Sequence, residues 1–217
     1  LNAYRLISST FMDNEVDEQV LINLMPMLVE GVARAHGRTV ENAILNGNSS
    51  APSGLADFAA EHGSGRRDIS DGDLVSATNL LNMRKEMGKY GLNPADVTYI
   101  VSSASYYDLL SDSAFQTLDE VGSDLAVRVT GTIGAVFGSP VVVSEEFPAD
   151  NTAGNMAALA VYNRNYVIPR LRGVTVEQDY EVMNQRRVIV ATQSLGFEEI
   201  VAGAGTDQPS VKITFVA

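Results

Sequence analysis

The residues of this chain that could do chemistry are few and scattered. There are only two histidines. His36 lies in a helical pattern with neither a second histidine nor a glutamate at the spacing of a helix-borne zinc site, so it reads as structural. His62 sits in a Gly/Ser loop and reads as a surface residue. Asp68-Ile69-Ser70-Asp71-Gly72-Asp73 has the acids of a calcium loop but lacks the alternating oxygen ligands and the closing glutamate. It reads instead as a helix start, with Ser70 as N-cap and Asp73 at the capping-box position. The stretch 131–138, GTIGAVFG, is glycine-rich enough to approach a phosphate. It has no Lys-Ser/Thr end and the wrong spacing for a dinucleotide turn, so it reads as turns and tight packing. Glu145-Glu146 is a carboxylate pair, but neighbours on a strand point to opposite faces and do not readily share a substrate. Ser102-Ser103 has no nearby base in sequence, and no G-x-S-x-G elbow occurs. No cysteine is present, which excludes thiolate metal sites and a disulfide framework. No catalytic residue, cofactor or metal is therefore expected. An enzyme would need a site assembled from dispersed residues.

The elements that would position these residues are dominated by one stretch, Asp13 to Gly47. Apolar residues recur at Leu21, Leu24, Leu28, Val32, Ala35 and Ala43, keeping to one helical face. Asp13, Glu15, Asp17 and Glu18 crowd the positive end of the predicted helix dipole, and Arg34 and Arg38 lie nearer the negative end. Asn46-Gly47 closes it, because glycine adopts the left-handed conformation that ends helices. At 1.5 Å per residue such a rod would reach ~45 Å. Pro26 predicts a kink or break. Gly31 and Gly37 each cost about 1 kcal/mol against alanine, which predicts close packing there.

After a loop-rich stretch from Asn48 to Gly65, a second helix is expected from Ser70, with Leu74, Ala77, Leu80, Leu81 and Met87 facing inward. It ends at Tyr90-Gly91, and Asn93-Pro94 turns the chain. Val97–Val101 is a nearly all apolar, β-branched run expected to be a strand buried on both faces. Ser103 is expected to cap a short helix, Ala104 to Leu110. Residues 111–124 hold no sustained period and read as an exposed loop. Strands are expected at 140–144, 157–162, 166–168, 174–181, 187–195 and 211–216, with turns at Asn163-Arg164-Asn165 and Arg172-Gly173.

Composition bounds the function. A chain of 217 residues with 45% hydrophobic residues can bury a full core. No apolar run approaches the ~18 residues of a membrane-spanning helix, and no signal-peptide pattern is present. The net charge of −12, from 15 basic and 27 acidic residues, argues against nucleic-acid binding as the main role. Arg66-Arg67, Arg170 with Arg172, and Arg186-Arg187 read as ordinary surface clusters. The chain does not begin with methionine, and Leu1 to Ile7 reads as a strand entered in its middle, so further residues are expected upstream.

Taken together, the order of these elements is specific: a strand, a long helix ending Ile44-Leu45-Asn46-Gly47, and a loop reaching Gly54-Leu55. A second helix and buried strand follow, then a short helix ending Asp108-Leu109-Leu110, an irregular loop, Gly138-Ser139-Pro140-Val141-Val142, and a strand-rich end. This order, from about Leu1 to Ile200, resembles the major capsid proteins of tailed bacteriophages and prophages, the HK97-like fold. The resemblance implies an α+β fold with a long spine helix, peripheral β-structure and a mixed α/β axial domain. Residues 1–50 and 173–195 would form the peripheral domain, and 51–172 with 196–217 the axial domain. The N-terminal arm and most of the extended loop would be absent.

The implied function is a structural subunit of an icosahedral virion shell. Its partner would be itself, in pentamers and hexamers enclosing DNA without reading its sequence, with a scaffolding protein or protease as further partners and assembly in the host cytoplasm. The loop at the capsomer centre would present Asp112, Phe115, Asp119 and Glu120 to neighbouring subunits. The turn around Met183 to Arg187, bearing Asn184, Arg186 and Arg187, would lie near contacts between capsomers. Some family members crosslink a lysine of the extended loop to an asparagine. That lysine's segment is not in this sequence and Asn184-Gln185 gives no clear match, so no crosslink is expected. An encapsulin-type nanocompartment shell has the same fold and is the alternative.

Overall fold

The computed structural model describes residues 3–13, 25–47, 53–61, 69–70, 73–112, 134–204 and 207–216. In chain order these form β1 (Tyr4–Asp13), α1 (Met25–Leu45), α2 (Leu55–Phe58), β2 (Ala60–Glu61) and β3 (Ile69–Ser70). Then come α3 (Ala77–Glu86), β4 (Val97–Val101), α4 (Ser103–Ser111), β5 (Ala135–Val136), β6 (Ser139–Val143) and β7 (Met156–Tyr162). The remainder is β8 (Tyr166–Val167), β9 (Arg170–Glu181), β10 (Arg186–Leu195), β11 (Glu198–Glu199) and β12 (Ser210–Val216). The chain divides into two units, Leu1–Gly54 with Val167–Glu198, and Leu55–Tyr166 with Glu199–Ala217.

In the first unit, β10 is the centre of an antiparallel sheet ordered β1-β10-β9. β1 pairs with β10 over its whole length, from Tyr4 opposite Leu195 to Asp13 opposite Arg186. Alternation puts Ile189, Ala191 and Leu195 on a buried face with Met12. On α1, Val32 and Ala43 are buried and Leu28 and Val40 half-buried. His36 occupies the same stripe, at steps of four from Val32 and Val40, and is itself buried. Ala35, predicted to face inward, is exposed. Gly47 closes α1 with a φ of 66°. A Cβ on Gly54 would lie 2.2 Å from the Gly47 amide nitrogen, so only glycine lets the chain pass the helix end there.

Several expectations for this region are corrected. Asp13 ends β1 instead of starting the helix, because its backbone is paired with Arg186 in the sheet. Glu15, Asp17, Glu18, Leu21 and Leu24 lie outside the described residues. Pro26 is the second described residue of α1, and the turn before it, where the expected kink or break would show, lies outside the described residues. A Cβ on Gly31 or Gly37 would meet nothing within 4 Å, so the close packing expected there is not found among the described residues. Arg172-Gly173 is no turn: it lies within β9, where pairing with β10 shifts register opposite Thr192 to Leu195.

The second unit is built on a sheet ordered β2-β12-β7-β4-β6-β5. β4 is central, antiparallel to β7 and parallel to β6. Its Val97, Tyr99 and Val101 are fully buried, while Thr98 and Ile100 are only half-buried. Leu80, Met83 and Met87 join them in one core with Ala157, Ala158, Ile213 and Phe215. Each large apolar side chain buried this way contributes roughly 1.5–3 kcal/mol. Leu74 and Leu81, expected in this core, are 63% and 42% exposed. The start of α3 is also corrected. Ile69–Ser70 pairs with β12 as a strand, and α3 begins seven residues later behind Ser76, whose amide donates to Asn79 Oδ1 at 3.0 Å. Ser102, one residue before the predicted Ser103, caps α4 by accepting the Ser105 amide at 3.1 Å. Glu145 lies in the turn after β6, not on a strand, so the opposite-face argument does not apply to it.

Candidate subunit interface

The residues with chemical potential are mostly consumed by the fold. His36 Nε2 bonds Gln193 Oε1 at 3.0 Å, and its Nδ1 lies 3.2 Å from Ser8 Oγ. An amide oxygen only accepts, so Nε2 carries the proton, and in the neutral ring Nδ1 accepts from the serine. The histidine thus ties α1 to β1 and β10. Beside it a cleft of about 330 Å³ is walled by aliphatic side chains, among them Val32, Ala33, Val40, Val174 and Val176. It gathers no carboxylates. Ser102 donates to Ser105 Oγ at 2.9 Å and is wholly buried. Among the described residues no group of three or more His, Asp or Glu is placed to hold a metal. His62 lies outside them.

Of the residues expected at a capsomer centre, Phe115, Asp119 and Glu120 lie outside the described residues. Asp112 is described, and its carboxylate accepts the Ala77 amide at 2.6 Å. Asp108, one turn earlier on α4, accepts the Val75 amide at 3.2 Å and Asn151 Nδ2 at 2.9 Å. Two carboxylates thereby sit at the positive start of α3, satisfying amides that lack an intrahelical partner. Asp112 is therefore engaged inside its own unit.

The β9–β10 turn brings Asn184 and Arg186 together. Arg186 Nε donates to Glu181 Oε2, and Asn184 Nδ2 donates to Glu181 Oε1 at 2.6 Å. The Arg186 hydrogen bond, helped by Asn184, holds the Glu181 carboxyl below the usual glutamate range. The same guanidinium lies 4.8 Å above the Phe11 ring. Arg187 projects from β10 near Gln178, Asp179 and Tyr180, on an exposed and open part of the sheet.

Reasoning from the sequence placed a contact at the Met183–Arg187 turn but singled out only its polar residues. Met183 is 95% exposed at the tip of the β9–β10 turn, next to an exposed Val182. Two apolar residues inside an otherwise polar turn were the available signal. It also missed Arg84, whose guanidinium donates to the Gly91, Leu92 and Phe137 carbonyls at 2.6, 3.1 and 3.1 Å. No local pattern announces a side chain that ties its own helix both to Gly91-Leu92 and to Phe137.

The model of the phage capsid family matches residues 1–204. The chain is 35% identical over 205 residues to the major capsid protein of Escherichia phage T5, covering 93% of this chain and 44% of that protein. It therefore spans less than half the length of that curated relative. A solved structure from Mycobacterium phage Che8 superposes with a TM-score of 0.72 at 17% identity, over 97% of this chain and 70% of the other. The SrpI encapsulin of Synechococcus elongatus PCC 7942 superposes with a TM-score of 0.64 at 10% identity, over 99% and 74%.

Proposed function

This chain belongs to the phage capsid family and has the HK97-like fold, and from that premise we propose that it is part of a major capsid protein that builds an icosahedral virion shell. The observation that carries the reading is the family match along 204 residues together with 35% identity to a phage major capsid protein. The encapsulin alternative is not favoured, because a likeness at 10% identity speaks for the fold alone.

In this reading the unit holding α1 and the β1-β10-β9 sheet is the peripheral domain, and the unit built on the second sheet is the axial domain. The partner is the chain itself, in pentamers and hexamers, with a scaffolding protein or protease acting during assembly in the host cytoplasm. Closed symmetric assemblies need self-complementary or head-to-tail patches, each burying ~1,200 Å² or more in total. Exposed apolar residues at turns, such as Val182 and Met183, suit that need. Arg186, Asn184 and Arg187 beside them supply a polar rim. A net charge of −12 suits a shell that encloses DNA without adhering to it. No catalytic role is assigned.

The test is expression of the full-length protein with its neighbouring genes, followed by negative-stain microscopy. Closed polyhedral particles are expected. Persistent monomers with a measurable turnover would overturn the assignment.

A further inference from the structure

The apolar cleft beside His36 lies wholly within the first unit, between α1 and one face of the β9–β10 pair. On the helix side Val29, Ala33 and Gly37 follow at steps of four and form one wall. Their side chains shrink along the row, so the cleft deepens towards Gly37. A Cβ on Gly37 would meet nothing within 4 Å. Close packing within the described residues therefore does not account for this glycine, although glycine is a poor helix former. On the sheet side Val174, Val176 and Ala191 line the cleft, with Val176 directly opposite Ala191 in the antiparallel pairing. Val174 and Val176 are 58% and 47% exposed, so this apolar wall is left against water.

The polar side chains at the cleft, His36 and Gln193, satisfy each other. His36 Nε2 donates to Gln193 Oε1 at 3.0 Å, and its Nδ1 accepts from Ser8 Oγ at 3.2 Å. Neither ring nitrogen is left to bind a polar ligand. Among the described residues no charged side chain lines the cleft. A water molecule held in such a site needs two to four polar partners, and here it finds few. The volume is about 330 Å³. An apolar cavity of roughly 150 Å³ takes one benzene ring, so this cleft has room for about two. A protein partner does not match that size, since a stable interface uses ~20–30 residues a side.

We propose that this cleft is a binding site for a small, neutral, apolar molecule of about two fused rings. Seated there, the molecule replaces water against Val174 and Val176, fills the space over Gly37 and bridges α1 to β9. Because it binds the folded chain and not the unfolded one, it stabilises the first unit by mass action. The site is independent of the capsid reading, and either can fail alone.

Naphthalene is the probe, offered to the full-length protein by equilibrium dialysis, with 2-naphthoate as its charged counterpart. Wild type is expected to bind naphthalene saturably, and at least tenfold more tightly than 2-naphthoate, whose carboxylate finds no partner in the cleft. Saturating naphthalene is expected to raise the melting temperature. Gly37→Leu and Ala33→Leu push side chains into the cleft from exposed positions on α1. Leucine is a good helix former, so Gly37→Leu is expected to melt above wild type and Ala33→Leu close to it. Both are expected to weaken naphthalene binding at least tenfold. Absence of saturable binding to wild type, equal binding of 2-naphthoate, or wild-type affinity in either folded variant would overturn the site.

Discussion

The second unit closes around its own core, with Leu80, Met83, Met87, Tyr99 and Leu109 all at 0% exposure. The first unit sets one described helix against a three-stranded sheet and leaves Ile7, Phe11, Val174 and Val176 at 47–59% exposure. Its buried face is also partly polar, with His36, Gln193 and Thr192 among its buried residues. The difference teaches where each unit draws its stability. The second encloses a fully buried core among its described residues, although Leu74 and Leu92 on its surface stay 63% and 78% exposed. The first has spare apolar surface and two long edge strands, β1 and β9, whose outer backbone groups pair with no other strand of the described sheet. A region of that kind gains from neighbours, which is what a shell subunit has in quantity.

The sharpest way to break this contrast is to truncate matched aliphatics in the two units. Leu80→Ala should cost ~2–5 kcal/mol, by urea unfolding, through transfer and cavity terms. Val176→Ala, at a position 47% exposed, should fall within about 0.5 kcal/mol of wild type. Equal losses would mean that the first unit is as fully packed as the second. Next in size is the polar anchor of α1. His36→Leu strands Ser8 and Gln193 and should cost ~1–3 kcal/mol, whereas the double variant His36→Leu with Gln193→Leu should recover a measurable part. If the double variant is no better than the single, the histidine's packing and not its hydrogen bond holds the helix.

Smaller effects refine the comparison. Asp112→Ala removes the carboxylate that accepts the Ala77 amide and should destabilise α3 by ~0.5–2 kcal/mol, read by amide hydrogen exchange over residues 77–86. An unchanged exchange rate would return Asp112 to the role of an outward-facing contact. The smallest effect is at Glu181. Its folded pKa is lowered, so its contribution is present above the ordinary glutamate range and is lost as pH falls through the folded value. Wild type should therefore melt above Glu181→Gln at neutral pH, with the gap closing in acid. A gap that persists at low pH would point to shape, not charge, at the turn.

Much of the fold was legible in the sequence where the signal is local. Val97–Val101 announced a buried strand by its β-branched run, and Gly47 announced a helix end through its conformational freedom. The start of α3 is misread from sequence because Ser70-Asp71-Gly72-Asp73 offers good capping chemistry, while the competing interaction, pairing of Ile69–Ser70 with a strand more than 140 residues later, is invisible locally. The candidate interface was legible only in outline. Asn184 and Arg186 do meet at one turn around Glu181. Asp112 reads as a surface acid until α3 is seen to start against it.

By itself the sequence determined the helical and extended periods, the acidic balance, the poverty of catalytic groups, and an element order specific enough to resemble one family. These are properties of neighbours along the chain, or of sums over it, and need no third dimension. Only the tertiary structure decided that His36 lies inside the helix stripe, that Arg84 binds three carbonyls at once, and that Phe137 is held exposed in a strained turn. The His36–Gln193 and Arg84–Phe137 contacts join residues 157 and 53 positions apart, and a linear pattern carries no record of such distances.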